Sequence, residues 1–206
     1  MYELFLSAFI TLFVVIDPPG CAPIYAGLTK GAPQGQRTAM ALRASVIATV
    51  ILLFFALLGE ELLNALHIEL DSFRIAGGLM LFWIAFEMVF EKRQQRREER
   101  AEKVVADHVD DVSVFPMAMP MLAGPGAIAA VMLLMNEADT PEETLVVLGA
   151  LAAVLLITAI ALVAAGPMIK LLGDRVEAVI TRLLGVLLAA LAAQYVIDGL
   201  KGSFGI

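Results

Sequence analysis

Polar residues drop out of this chain for about twenty positions at a time and then return in short clusters. Six apolar stretches result, at residues 4–29, 39–59, 73–90, 112–135, 144–169 and 178–200. A helix needs about 20 residues to cross roughly 30 Å of hydrocarbon, so each stretch has the length of a membrane span. The fifth carries no charge at all, whereas the third and sixth are charge-free only within 75–86 and 183–197. The pattern predicts an all-α membrane protein of six transmembrane helices. Overall, 60% of residues are hydrophobic and mean hydropathy is +0.87, against about 45–50% apolar content in a soluble domain. The lipid bilayer is therefore the expected surroundings of most of this surface.

Prolines divide two of the spans. Asp17-Pro18-Pro19-Gly20-Cys21-Ala22-Pro23 lies inside the first, and Met119-Pro120-Met121-Leu122-Ala123-Gly124-Pro125-Gly126 inside the fourth. Proline removes a backbone donor and clashes with the preceding turn, so discontinuous first and fourth helices are expected, broken at Pro18, Pro19 and Pro23 and at Pro120 and Pro125. Irregular backbone at membrane depth is tolerated only where protein or a wet cavity satisfies its polar groups. Each half-helix after a Pro-Gly pair then offers free N–H groups and the positive end of its dipole to an anion.

The two breaks belong to a wider repetition. Pro19-Gly20 recurs as Pro125-Gly126, Arg74-Ile75-Ala76-Gly77 as Arg182-Leu183-Leu184-Gly185, Glu87 faces Gln194, and Glu91 faces Asp198. Residues 1–91 and 112–206 read as two three-helix repeats within one membrane domain, joined by a charged cytoplasmic loop at 92–111. An odd number of spans per half inverts the second repeat relative to the first, a design found in secondary transporters with a site near the midplane.

Charge sets the expected orientation. The first, third and fifth links hold Lys30, Arg37 and Arg43, then Lys92, Arg93, Arg96, Arg97, Arg100 and Lys103, then Lys170, Arg175 and Arg182, while the opposite side holds only Arg74 and Lys201. By the positive-inside rule both termini lie outside the cytoplasm. The charged link reads as a solvated loop or short helix. Its interleaved acids cancel the field a phosphate backbone would need, so no nucleic-acid partner is expected. The first positive charge is Lys30, so the basic start of a secretory signal is missing and the first stretch reads as a retained span.

Asp17 is the acid expected at mid-membrane, aligned near Ala123 in the second half. A carboxylate there is costly and points to a substrate ammonium, a coupling ion or proton, or the cap of its own half-helix. Glu87 with Arg182 would form an inner gate and Arg74 with Asp198 an outer one, or these residues snorkel to the interface without gating. Gln194, buried by position, needs a partner and would bridge helices. Enzyme chemistry is not expected, because HExxH, a second mid-membrane aspartate and a serine beside a histidine are all missing. Cys21 is the single cysteine and His67 and His108 the only histidines, which leaves no metal site and no cofactor beyond a coupling proton or sodium ion.

Taken together, Ile16-Asp17-Pro18-Pro19-Gly20 with Pro23 and Leu28-Thr29, Leu122-Ala123-Gly124-Pro125-Gly126-Ala127-Ile128, the Arg-x-x-Gly starts at Arg74 and Arg182, and the closing Gln194 to Leu200 resemble the MarC family. This six-span group is also called the neutral amino acid transporter family, and the likeness covers essentially the whole chain. It implies a multi-pass protein of a bacterial or archaeal cytoplasmic (inner) membrane and, for some members, cation-coupled transport of glycine and other neutral amino acids. On this reading the backbone N–H groups of Gly20, Cys21, Gly126 and Ala127 receive the substrate carboxylate, Asp17 takes the ammonium or a proton, and Gly20 and Gly124 allow close approach and hinge motion. A non-transporting scaffold or regulator, and an exporter of a different small metabolite or drug, are the competing readings. A homo-oligomer is compatible with apolar faces on every span.

Overall fold

The computed structural model describes residues 1–106 and 111–205, with side chains described except at 100, 103–106 and 167–178. Lys170 and Arg175 of the fifth link, and residues 107–110 of the charged link, lie outside that description. Every described element is helical: α1 (Tyr2–Ile16), α2 (Pro18–Leu28), α3 (Gln34–Ala65), α4 (Leu70–Val89), α5 (Lys92–Ala106), an irregular segment Ser113–Leu122, α6 (Pro125–Asn136), α7 (Pro141–Val163) and α8 (Ala165–Phe204). Five spans in the described residues are long and apolar enough to cross a membrane, α1 and α2 counting together as one. The irregular segment and α6, bent by 51° at their junction, make a sixth when taken as one broken span.

Local chemistry accounts for the ends. The α1 helix stops at Asp17, whose left-handed backbone (φ 60°, ψ 64°) is a conformation that aspartate adopts more readily than most side chains. Pro18 then opens α2 at the position where a missing N–H costs nothing. In Ser113–Leu122 the backbone turns extended at Phe115 and Met119, each followed by a proline in a cis peptide bond. The turns that remain close through longer bonds, Met117 N–H to the Val112 carbonyl (3.2 Å) and Ala123 N–H to that of Ala118 (2.9 Å). At the start of α7, Thr140 accepts from the Glu143 N–H (3.2 Å), and the Glu143 carboxylate accepts in return from the Asp139 N–H (2.9 Å), a capping arrangement.

Packing separates lipid-facing from inward surfaces. Leu42, Val46, Val50 and Phe54 repeat every four residues along α3 and stay exposed, while Ala41, Ala44, Ala48 and Leu52 are buried, as expected for a span with one face toward lipid and one toward its neighbours. Two buried hydroxyls of the spans are satisfied within their own helices: Ser45 donates to the Ala41 carbonyl (2.9 Å) and Thr158 to that of Val154 (2.7 Å). The most extensive pairing joins α4 to α8. It is backbone against backbone, for a Cβ on Gly78 would lie 2.9 Å from the Ala192 carbonyl oxygen and one on Gly199 2.8 Å from that of Asp71.

The charged link departs most from the expected solvated segment. It is helical from Lys92 to Ala106 and turns one side inward: Arg97 is buried, and Arg93 and Ala101, four residues either side of it, are partly buried. In this position α5 packs against α2, α4 and the irregular segment.

Candidate functional site

The two helix breaks come out differently. At the first, the Asp17 carboxylate accepts from the Gly20 N–H (3.2 Å) and so caps α2. Its other oxygen accepts from the Arg97 guanidinium at 2.8 Å, with side chains only 6% and 8% exposed. Asp17 thus caps its own half-helix, one of the roles its position in the sequence suggests, and the inward face of α5 brings it a cation besides. At the second break the cap position is Gly124, with extended backbone and no side-chain cap. Pro18 and Pro125 each open their helix, so the structural partner of Asp17 is Gly124, one residue on from the Ala123 of the sequence alignment.

In front of the uncapped end of α6 lies a cavity of about 560 Å³. Gly124, Pro125, Gly126 and Ala127 form one wall, Trp83, Ile84 and Glu87 of α4 another, and Arg93, Arg96 and Arg97 of α5 a third, with Val15, Phe115 and Met121 adding apolar surface. Pro120 also lines it. Glu87, 6% exposed, accepts from the Trp83 indole N–H (2.8 Å) and from Arg96, which is 48% exposed. Arg93 donates to the Val15 carbonyl and to the Met88 sulfur (3.2 Å), and among the described residues no carboxylate lies within ion-pair distance of it. Burial lowers the Arg93 guanidinium to about 10, Arg97 adds to the lowering, and Asp17 opposes it. It remains a cation at neutral pH whose lost hydration is only partly offset. An arginine so placed, beside a helix N-terminus, suits a carboxylate.

Several expected site residues fall elsewhere. Asp17 and Pro23 line a neighbouring cavity of about 260 Å³ that shares Glu87 and Arg93 with the first. Gly20 and Cys21 are buried in the first turn of α2, where Asp17 already takes the Gly20 N–H and the Cys21 thiol donates to the Ile16 carbonyl (3.4 Å). The gate pairs are not formed as drawn. Arg182 reaches Glu91, and Glu87 holds Arg96, which α5 brings against α4. On the opposite side Arg74 bonds Asp71 (3.0 Å) and Asn136 (3.3 Å), its near neighbours, while Asp198 takes Gln194 (2.9 Å) one turn earlier on α8. Gln194 is itself exposed rather than buried. Sequence reasoning missed Arg93, Arg97 and Trp83. Placing the two arginines four apart on one helical face was the available signal.

Helical spans packed around a broken helix that opens on a cavity define a polytopic membrane protein. The chain belongs to the MarC family of integral membrane proteins, whose profile matches residues 2–204. It is 35% identical to the UPF0056 membrane protein MJ1677 of Methanocaldococcus jannaschii, over 98% of each chain. An Archaeoglobus fulgidus UPF0056 membrane protein is 37% identical over 95% of this chain and 92% of its own, and the Bacillus subtilis UPF0056 membrane protein YvbG 32% identical over 99% and 97%. Such relatives thus span archaea and bacteria. No solved structure matches the chain.

Proposed function

We propose that this protein is a secondary transporter of a small zwitterionic solute, a neutral amino acid such as glycine or alanine, working by alternating access and coupled to a proton or sodium ion. The observation that supports this most is the uncapped N-terminus of α6 opening into a cavity with Arg93. That combination accepts a carboxylate through the Gly126 and Ala127 N–H groups and a guanidinium together. The volume is ample for a few heavy atoms, and Val15, Ile84 and Met121 suit a short apolar side chain. A scaffold has no need of such a cavity.

The pairing of a broken first span with a broken fourth favours two inverted three-helix repeats, the binding site lying where they meet. The excess of Lys and Arg on the α5 side favours termini outside the cytoplasm, in a bacterial or archaeal cytoplasmic membrane. The smaller cavity beside Asp17 is the nearest place for a coupling ion.

Uptake of radiolabelled glycine and alanine into proteoliposomes, with and without an imposed proton or sodium gradient, tests the proposal. Gradient-dependent accumulation is expected, falling at least tenfold in Arg93→Gln. Solute-independent behaviour of the reconstituted protein under every gradient would sink it.

A further inference from the structure

Two buried acids stand near the cavity, and their partners differ in kind. Asp17 is held by a buried arginine and by the Gly20 N–H, so both oxygens are engaged in structure. Glu87 is as deeply buried, yet among the described residues the one cation within ion-pair distance of it is Arg96, a side chain half in solvent. Arg96 can swing out into water without being stranded, because half of its side chain is already there. The acid itself cannot easily stand alone, because an unpaired buried carboxylate is costly. A site of this construction takes a replacement cation when one arrives. The Trp83 indole N–H is bonded to the same carboxylate oxygen, so the ring senses whatever that carboxylate holds.

We infer that Glu87 receives the ammonium group of the ligand, Arg96 occupying that position in the structure as it stands. This rests on the cavity being the ligand site, and it moves the cationic pole of the ligand from Asp17 to α4. The two poles of a zwitterion then lie on facing walls, ammonium on Glu87 and carboxylate on α6 with Arg93. Release of Arg96 on binding also frees the outer face of α5.

Trp83 is the only tryptophan in the chain, so intrinsic emission of the purified full-length protein reads this carboxylate directly. Ethylamine, propionate and alanine are titrated separately at constant ionic strength into wild type, Glu87→Gln and Arg96→Gln. Ethylamine should shift emission saturably in wild type, with half-saturation raised at least tenfold in Glu87→Gln and lowered severalfold in Arg96→Gln, where the competitor is gone. Propionate should respond alike in all three. An ethylamine response unchanged in Glu87→Gln, missing in wild type, or not tightened in Arg96→Gln would overturn the inference. Silence toward propionate and alanine beside a normal ethylamine response would instead overturn the zwitterion reading and leave Glu87 as a cation site.

Discussion

The first and second helix breaks use the same proline device and reach opposite ends. At the first, Asp17 caps α2 and is then sealed by Arg97. At the second, a Cβ on Gly124 would sit 2.3 Å from the Pro120 carbonyl oxygen, so the backbone admits only glycine, and glycine brings no cap. The tightness of that turn is what leaves the end of α6 open. One break has become a structural joint and the other a place for a ligand, although proline content alone would rank them equal.

This contrast can be attacked from both sides. The largest effect is expected at the sealed break: Asp17→Ala removes the α2 cap and a charged hydrogen bond to Arg97 together and should cost about 2–5 kcal/mol, read by equilibrium unfolding in detergent. Arg97→Met should show how much of that loss belongs to the pair, because the double variant should lose less than the sum of the two single variants. At the open break Gly124→Ala meets rigid backbone and should cost about 1–3 kcal/mol. Gly126→Ala meets only the tip of Ile84, which can turn aside, so it should cost less than Gly124→Ala by the same measurement. A stability loss at Gly126 equal to that at Gly124 would erase the distinction. The smallest effect is expected far from either break, where the Arg43–Asp111 pair is about half exposed; Arg43→Gln should change stability by at most about 1 kcal/mol, and less in high salt.

Hydropathy made the spans legible because lipid contact demands uninterrupted apolar surface, and Pro18 and Pro125 made the breaks legible because proline forbids the regular helix. What stayed hidden depends on tertiary placement. The 91–111 link has the charge density of a solvated segment; the four-residue spacing of Arg93 and Arg97 puts them on one helical face, but nothing local says that this face turns inward and that Arg97 meets a carboxylate eighty residues away. Gln194 looks buried from its place in a span, but a helix has a side for lipid and water as well as one for neighbours, and Gln194 is on the outer one with Asp198 one turn on to bond. Glu87 was visible as a polar residue near the end of a span, whereas its partner was not, since Arg182 and Arg96 are equally plausible until α5 is in place. The one-residue shift from Ala123 to Gly124 arises because Pro19-Gly20 matches Pro125-Gly126 in sequence while Pro18 matches Pro125 in helical position.

The glycine-lined seam between α4 and α8 has a mechanical meaning. Two helices in backbone contact at Gly78 and Gly199 cannot slide past each other without collision and lose that contact if they splay, so they are expected to move as a single beam. Trp83 and Glu87 ride on that beam, while the end of α6 that faces them does not. Any widening of the cavity is then a displacement of the beam as a whole relative to the α6 end, and distances along α4 and α8 should hold constant while the distance from Glu87 to Gly126 reports the stroke.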